Sequence, residues 1–178
     1  MEKRITEKEC EKLYKICSTP PHVIAHCSAV SHTAVEIGRR LNNHGFNLDL
    51  DLIRGAGLSH DIARTLENHG EEGAKILESF GYQAEADIVR VHMFYDFNSF
   101  ENLNETDLVC LGDRLVIEGQ YAGLDKRFEY IMNKAPQDEK IRSRLLLKKK
   151  EPKALLDRIE KAIGETVDNL FSAHNTSE

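Results

Sequence analysis

Residues 56–63 of the chain read AGLSHDIA, a run of small and apolar residues that carries His60 and Asp61 side by side. The run closes a predicted third helix over about residues 50–62. At 100° per residue, one face of this helix holds Ile53, Ala56, Gly57 and His60. His60 therefore points into the core, with Asp61 one step around. A buried carboxylate is costly unless it is paired or bound to a metal, so the run predicts a polar site inside a helical fold.

The same helical periodicity recurs along the whole chain, and no stretch alternates long enough to predict a strand. A second helix over about residues 21–43 carries an apolar stripe made of Val23, Cys27, Val30, Ala34, Ile37 and Leu41. Before it, Thr6 and Glu9 form a capping-box pattern that opens a first helix to about Cys17. Further helices are predicted over about 70–80, 84–94, 105–121, 125–134, 138–149 and 152–171. We therefore predict an all-α, single-domain helical bundle.

Three further polar residues fall near or on apolar faces of other predicted helices. His26 lies about 60° from the centre of the stripe on the second helix, whereas His32 lies on the opposite face. His92 and Asp113 share faces with isoleucine or valine in the fifth and sixth helices. Taken singly, each could be a hydrogen-bonded or ion-paired core residue. Their convergence with the histidine and aspartate of the third helix favours a shared site.

Composition limits the classes of function that need to be considered. The chain has 178 residues, a net charge of −6, and 40% hydrophobic and 30% charged residues, as in an ordinary soluble domain. No apolar run approaches the ~18 residues that a membrane span needs, and the first ten residues do not resemble a secretory signal. We therefore expect a cytoplasmic protein without a membrane partner. Its acidic balance argues against nucleic acid as a partner.

Two compositional features have plain interpretations. The four cysteines, at positions 10, 17, 27 and 110, form no C-x-x-C pair, so we expect reduced, buried thiols. The basic segment from Lys140 to Lys153 is interrupted by Glu151 and contains no aromatic residue. This pattern is typical of a solvated helix, with contact to RNA or steering of a polyphosphate as the alternatives.

Taken together, these motifs resemble the HD-domain superfamily of metal-dependent phosphohydrolases. The resemblance covers about residues 22–130 and rests on His26-Cys27-Ser28-Ala29-Val30, on Ala56 to Ala63, on His69-Gly70 followed by Gly73-Ala74, on Val89-Arg90-Val91-His92 and on Leu111-Gly112-Asp113-Arg114-Leu115-Val116. The order of histidines and aspartates is similar to that of the six-ligand, two-metal branch, which includes bacterial HD-type diadenosine tetraphosphate hydrolases. It implies metal ligation by His26, His60, Asp61 and Asp113, and ligation of a second metal by His69 and His92.

The chain departs from those hydrolases next to two of the implied ligands. His92 is followed by Met93-Phe94-Tyr95-Asp96 in place of threonine and glycine, and the residues after Asp113 lack a proline. Neither departure removes an implied ligand, so both bear on the substrate. Within a single domain over 1–178, we expect the HD-like core at about 22–130 and a C-terminal helical extension at about 138–172.

The implied ligand set predicts a metal cofactor and a reaction. Imidazole and carboxylate ligands without thiolates suit one or two divalent transition-metal ions and do not select among Fe, Mn, Co, Ni and Zn. Two adjacent cations activate a shared water and clamp both oxygens of an in-line displacement. The resemblance thus implies hydroxide attack on the phosphorus of a nucleotide or another small phosphorylated substrate.

Individual residues receive candidate roles in this reaction. Asp61, Arg64 and Arg114 are the candidate catalytic residues, and Arg64, Arg114 and Arg127 the candidates for binding the substrate phosphate. The alternative for each arginine is a surface ion pair. We expect His92 to be kept neutral by burial, which favours metal ligation over general acid catalysis.

Other interpretations remain open at this point. A minority of HD folds use the same ligands in a di-iron oxygenase, and the chain could also be a metal-binding regulatory module with little turnover. Tyr95, Phe97 and Phe100 could form a base-stacking lid over the site or simply anchor a loop.

Overall fold

A computed structural model describes residues 3–172, and in these residues the protein is helical apart from one short hairpin. The all-α prediction is confirmed. The α-helices are α1 (Glu7–Ile16), α2 (Pro21–Asn43), α3 (Leu50–Ser59), α4 (His69–Ser79), α5 (Gln83–Val91), α6 (Glu105–Asp113), α7 (Leu124–Lys134), α8 (Glu139–Lys148), α9 (Lys150–Ile163) and α10 (Val167–Ser172). Two 3-10 turns lie at His92–Phe94 and Phe100–Asn102, and strands β1 (Val116–Ile117) and β2 (Gln120–Tyr121) pair antiparallel.

The long helix α2 forms the axis of the fold. It begins with Pro21 in its first turn, where a missing N–H has no cost, and ends after Asn43, before Gly45 at a φ of 94°. The apolar stripe predicted for it is buried, and α3 and α6 pack closely against it. The predicted capping box of α1 is present as well, with Glu9 N donating to the Thr6 hydroxyl at 3.3 Å.

Two glycines allow α3 and α6 to approach α2 closely. A Cβ built on Gly57 of α3 would lie 2.6 Å from the Cα of Ser31, closer than such atoms can come. On α6, a Cβ on Gly112 would lie 3.0 Å from the carbonyl oxygen of Val30. Both glycines stand within three residues of a predicted site residue. The close packing therefore brings the ends of α3 and α6 to the same part of α2.

The apolar interior divides into two clusters, and the chain passes from one to the other at His60 and Asp61. Ile53 and Ala56, before this pair, belong to a cluster that also includes residues of α6, α7 and α9. Ile62, after it, belongs to a cluster formed with α1, α4 and α5. The predicted site therefore lies where the two clusters meet.

Three predicted helices end earlier than their patterns indicate. α3 stops at Ser59, so His60 caps it and Asp61 lies in the following turn. α5 stops at Val91, and His92 begins a 3-10 turn. The prediction of a single helix over about 105–121 is wrong, because α6 ends at Asp113 and a hairpin follows.

Backbone conformation explains the hairpin and one further break. Glu118 and Gly119 have φ of 47° and 88°, the left-handed values that a two-residue hairpin turn requires. The last predicted helix, over about 152–171, is also wrong as a single element. Gly164 adopts a φ of 75° and ends α9, and α10 begins at Val167.

The cysteines and the hydropathy of the helices in residues 3–172 bear on two expectations drawn from composition. All four cysteines are free; Cys10, Cys27 and Cys110 are buried, as expected, whereas Cys17 is partly exposed. Burial raises the pKa of the Cys10 thiol to about 11, which keeps it protonated and unreactive. None of the helices in this part of the chain combines the length and the hydropathy that crossing a membrane would demand.

Candidate metal centre

The six implied ligands come together from five helices, at the ends of four of them and within the fifth. His26 lies in the first half of α2, His60 and Asp61 follow α3, His69 begins α4, His92 follows α5 and Asp113 ends α6. His60, His69, His92 and Asp61 are buried, while His26 and Asp113 are partly exposed. The structure thus places all six side chains in one site, and their role as ligands stays a prediction.

Asp61 lies at the centre of this arrangement. Its Oδ1 is 3.1 Å from Nε2 of His69 and 3.4 Å from Nε2 of His92. Its Oδ2 is 3.9 Å from Nε2 of His60. The two oxygens of one carboxylate therefore face different histidines, so Asp61 could contribute to more than one ion.

The four histidine rings follow one another in a row. Ring centroids are 5.2 Å apart for His26 and His60, 5.3 Å for His60 and His92, and 5.4 Å for His92 and His69. At the exposed end of the row, Nε2 of His26 is 3.0 Å from Oδ1 of Asp113. Asp113 thereby closes the row on the side of the solvent.

Two sets of three residues have ligand atoms close enough to share an ion. His26, His60 and Asp61 form one set, and Asp61, His69 and His92 form the other, with all ligand atoms of a set within 4.8 Å of one another. Asp61 belongs to both sets. Asp113 belongs to neither set and contacts His26 instead.

Backbone hydrogen bonds fix the orientation of the two most buried rings. Nδ1 of His60 donates to the carbonyl oxygen of Gly57 at 2.8 Å, and Nδ1 of His92 donates to that of Val89 at 2.6 Å. In the neutral ring each Nε2 therefore carries a lone pair, and neither Nε2 has a hydrogen-bond partner among residues 3–172. Buried polar atoms are rarely left without partners, so these two nitrogens fit an ion at this site.

The carboxylates of the site remain ionised. Burial would raise the pKa of Asp61, but the His92 imidazole, whose Nε2 lies 3.4 Å from Oδ1, and the neighbouring His60 outweigh burial and lower the pKa to about 2. Burial is likewise outweighed at Asp113, where the hydrogen bond with His26 and the charge of His60 hold the pKa well below its usual range. Two negative charges therefore lie in a largely buried site, which favours a bound cation.

The histidines differ in their affinity for protons. Burial lowers the pKa of His60 and of His69, as expected for imidazoles that serve as neutral ligands. Burial also acts on His92, but the Asp61 carboxylate, 3.4 Å from its Nε2, and the hydrogen bond with the Val89 carbonyl outweigh it and raise the pKa. The expectation that burial keeps His92 neutral is therefore wrong when no metal ion is bound. A proton and a metal ion compete for its Nε2.

The three candidate arginines lie around the same site. Arg64 Nε is 3.4 Å from Oδ2 of Asp61, and its Nη1 is 3.3 Å from Nδ1 of His69. Arg127 Nη2 is 3.9 Å from Oδ1 of Asp113, and the buried Nε of Arg127 has no hydrogen-bond partner among the described residues. Arg114 is less available to bind a ligand, because its Nη1 already donates to the carbonyl oxygen of Cys110 at 2.7 Å.

A cavity of about 1250 Å³ opens onto these residues. His26, Asp61, His92 and Asp113 line it together with the three arginines. The sequence did not predict the other side of its lining, where Leu145, Leu147 and Lys148 of α8 take part. No signal in the sequence separates the leucines of α8 from ordinary core leucines.

A second feature beyond the predicted residues is the buried carboxylate of Asp107. It accepts hydrogen bonds from the Tyr95 hydroxyl at 3.0 Å, from the Asn98 amide N–H at 2.9 Å and from the Asn104 amide N–H at 3.0 Å. Asp107 thereby fastens the segment after His92, which lines the cavity. The capping box of Asn104 and Asp107 at the start of α6 is a sequence signal that could have identified it.

Fold and site together define an all-helical protein with a candidate site for one or two metal ions. Residues 23–117 match the model of the family described as the HD domain, and this match covers more than half of the chain. The chain belongs to the HD-domain family.

A search of curated proteins gives one relative of unknown function. This relative, an uncharacterized protein of Methanocaldococcus jannaschii, is 39% identical over 79 residues, which make up 43% of this chain and 46% of that protein. The chain thus spans about half the length of the curated relative that it matches. No solved structure matches the chain.

Family membership confirms the coarser part of the sequence interpretation. HD domains bind divalent metals, and members of the family are generally metal-dependent hydrolases. The His and Asp clusters of this chain could hold such a metal. The similarity to the diadenosine tetraphosphate hydrolases stays a prediction, because the match identifies the domain and not the branch.

Proposed function

We propose that this protein is a metal-dependent phosphohydrolase that acts on a nucleotide or another small phosphorylated substrate. The observation that carries the proposal is the pair of buried Nε2 atoms of His60 and His92, which lack hydrogen-bond partners beside the ionised Asp61. Two lone pairs and a carboxylate that face one another need a cation between them. HD-domain membership supplies the general class of reaction.

His26, His60, Asp61 and Asp113 would hold a first ion, and His69 and His92 would hold a second one that shares Asp61. When bound, such ions supply Lewis-acid activation of water and of the phosphoryl oxygens. In the overall reaction, water adds to phosphorus and the bond to the leaving oxygen breaks. The leaving group departs with a proton, and inorganic phosphate is released. The metal is a divalent transition-metal ion, with Fe, Mn, Co, Ni and Zn all compatible with these ligands.

Arginines on opposite sides of the cluster would bind the phosphate. Arg64 is half exposed and adjoins Asp61, so its guanidinium can turn toward an anion in the cavity. Arg127 has a buried Nε without a partner among residues 3–172, and a phosphate oxygen would satisfy it. Arg114 donates to a backbone carbonyl. This suits it to supporting the cavity wall and not to binding the phosphate.

The test combines metal analysis with a substrate panel. We expect purified protein to carry one or two transition-metal ions per chain and to release phosphate from small nucleotides in preference to RNA or DNA. Asp61→Ala should lose bound metal and lower turnover by more than ~100-fold, because it removes the ligand common to both sets. Helix content should survive, since apolar packing holds the helices together.

Asp51→Ala is the matched control, because Asp51 is an exposed aspartate of α3 that pairs with Arg54. It should keep wild-type metal content and turnover. Full metal occupancy in Asp61→Ala would contradict the proposed ligand set. Consumption of O₂ without phosphate release would replace hydrolysis by an oxygenase reaction, and metal binding without either activity would indicate a regulatory module.

A further inference from the structure

The cavity is larger than a phosphate group alone requires. Its volume of about 1250 Å³ exceeds the ~300–1,000 Å³ that is common for sites of drug-sized ligands. The metal centre and the arginines account for only part of the lining. Most of the rest comes from residues 93–97, from α7 and from α8, which contribute no candidate metal ligand. The organic part of a substrate therefore has room of its own.

Aromatic side chains are concentrated in this remaining lining. Five of the twelve Phe and Tyr residues of the chain line the cavity, namely Phe94, Tyr95, Phe97, Phe128 and Tyr130. Phe94 is 82% exposed, so its ring is not used in the core. Exposed apolar rings that border a polar site are typical of a binding surface.

Four of these rings lie beside a cationic side chain. The ring centroids are 5.7 Å from Lys148 Nζ for Phe94, 4.9 Å from the Arg114 guanidinium for Phe97, 5.8 Å from Lys149 Nζ for Phe128 and 4.0 Å from Lys134 Nζ for Tyr130. Flat apolar faces and positive charge therefore occur side by side. An acyl chain would contact only the ring faces, and a sugar phosphate would pair only with the cationic side chains. A ligand that is both aromatic and anionic uses both.

Helix α8 supplies apolar side chains that the core does not use. None of its residues is buried, and Leu147, which lines the cavity, is 59% exposed. Lys148 of α8 lies over the ring of Phe94, so α8 and the segment after His92 meet at the rim of the cavity. Phe94 and Leu147 are thus accessible apolar groups on two separate chain segments of one cavity.

We propose that Phe94 and Leu147 are specificity-determining residues that bind a planar aromatic ring of the substrate while its phosphate lies at the metal centre. The substrate class is then a phosphate ester whose organic part carries such a ring. This inference rests on the proposed function, because it takes the phosphate to lie beside the six clustered side chains. It goes further in assigning residues outside that cluster to the choice of substrate.

Adenosine 5′-monophosphate and ribose 5-phosphate form a matched pair of probes. Both carry a primary phosphate ester at the same sugar carbon, and the aromatic ring is present only in the first. With the full-length, metal-loaded protein, we expect kcat/KM for phosphate release to be about tenfold higher for the probe with the ring, as stacking on an exposed aromatic residue predicts.

Variants locate this preference. Phe94→Ala and Leu147→Ala should each lower the ratio of the two kcat/KM values several-fold toward one. Both residues are largely exposed, so neither change should unfold the protein. Phe80→Ala is the control, because Phe80 is a half-exposed phenylalanine at the end of α4 that does not line the cavity. It should keep the wild-type ratio.

Calorimetric binding of the same two probes separates the two proposals. If no phosphate is released but the probe with the ring binds more tightly, and Phe94→Ala removes the difference, the proposed reaction fails while the ring site stands. Equal or undetectable binding of both probes overturns the ring site. So does a wild-type kcat/KM ratio near one, or a ratio that both variants leave unchanged.

Discussion

The candidate metal centre and helix α8 border the same cavity, yet they are built in opposite ways. At the centre, His60 and His92 are 1% and 3% exposed, and each ring is held by a hydrogen bond from Nδ1 to a backbone carbonyl. In α8, Leu146 and Leu147 are 55% and 59% exposed. One region buries polar atoms, and the other exposes apolar ones.

The difference separates two tasks within one cavity. A site for chemistry must hold its groups in fixed positions, and burial between packed helices achieves this. A surface that recognises the organic part of a ligand can be held more loosely, because apolar contact is not directional. Substitutions at the centre should therefore affect function strongly, and substitutions in α8 should affect stability little.

After Asp61→Ala, the largest effect is expected at the second set of ligands. His92→Ala or His69→Ala should reduce bound metal from about two ions per chain toward one and lower turnover by at least ~10–100-fold, since each removes a nitrogen that faces Asp61. Metal analysis and steady-state kinetics measure both quantities. His32→Ala, which alters an exposed histidine of α2, serves as the control. Wild-type metal content combined with a shifted pH profile would instead indicate a single ion with acid catalysis.

The next effect concerns the packing that forms the centre. Gly57→Ala places a methyl group 2.6 Å from the Cα of Ser31, a backbone atom that no rotamer change can move away. The gain of ~1 kcal/mol in helix propensity is smaller than the ~1–3 kcal/mol cost of overpacking, so we expect net destabilisation. Chemical denaturation measures the change.

Gly73→Ala in α4 is the comparison for that measurement. There the added methyl group would meet side-chain atoms, the nearest being a methyl of Val89 at 3.2 Å, and these can shift. The loss of stability should be clearly smaller than for Gly57→Ala. Equal losses would show that the contact between α2 and α3 is not special.

A smaller effect is expected at Asp107, which holds in place the cavity-lining segment after His92. Asp107→Asn replaces one carboxylate oxygen by an NH₂ group that cannot accept, so either the hydrogen bonds from Tyr95 and Asn98 to Oδ1 or the one from Asn104 to Oδ2 are lost. The segment after His92 should loosen, and KM should rise about threefold to tenfold with metal content unchanged, equivalent to ~1 kcal/mol. A loss of metal in this variant would place Asp107 in the support of the centre instead.

The smallest effect is expected in α8 itself. Leu146→Ala should change the free energy of unfolding by less than ~0.5 kcal/mol, because Leu146 is exposed and does not line the cavity. Leu111→Ala, in the core of α6, should cost ~2–5 kcal/mol and provides the scale in the same denaturation experiment. Comparable losses would mean that α8 is held by packing after all.

The sequence predicts the centre better than its surroundings for a physical reason. The candidate ligands His60, His92 and Asp113 interrupt apolar helical faces, so periodicity and the cost of buried charge single them out without any long-range information, whereas His69 was implied only by the family resemblance. Helix α2 was predicted to the residue, since Pro21 and Gly45 mark its ends with specific backbone requirements. These signals are local, and local signals survive in a sequence.

The parts that were missed depend on contacts between distant segments or on individual backbone angles. The identity of Glu118 does not by itself indicate a φ of 47°, so the segment that forms the hairpin after α6 was predicted as helix. The break at Gly164 was within reach, because a glycine near the end of a helical pattern often adopts the left-handed conformation. The place of α8 at the cavity depends on tertiary packing that no periodicity encodes.

The hydrogen bonds that orient His60 and His92 have a consequence for local unfolding. Each acceptor carbonyl, on Gly57 and on Val89, lies three residues before its histidine, in the last turn of α3 or α5. If one of these turns frays, the imidazole loses both its position and its tautomer. An ion bound at Nε2 stabilises only the wound form. The ends of these two helices and the occupancy of the site are therefore thermodynamically linked, and the affinity for metal includes the free energy of winding those turns.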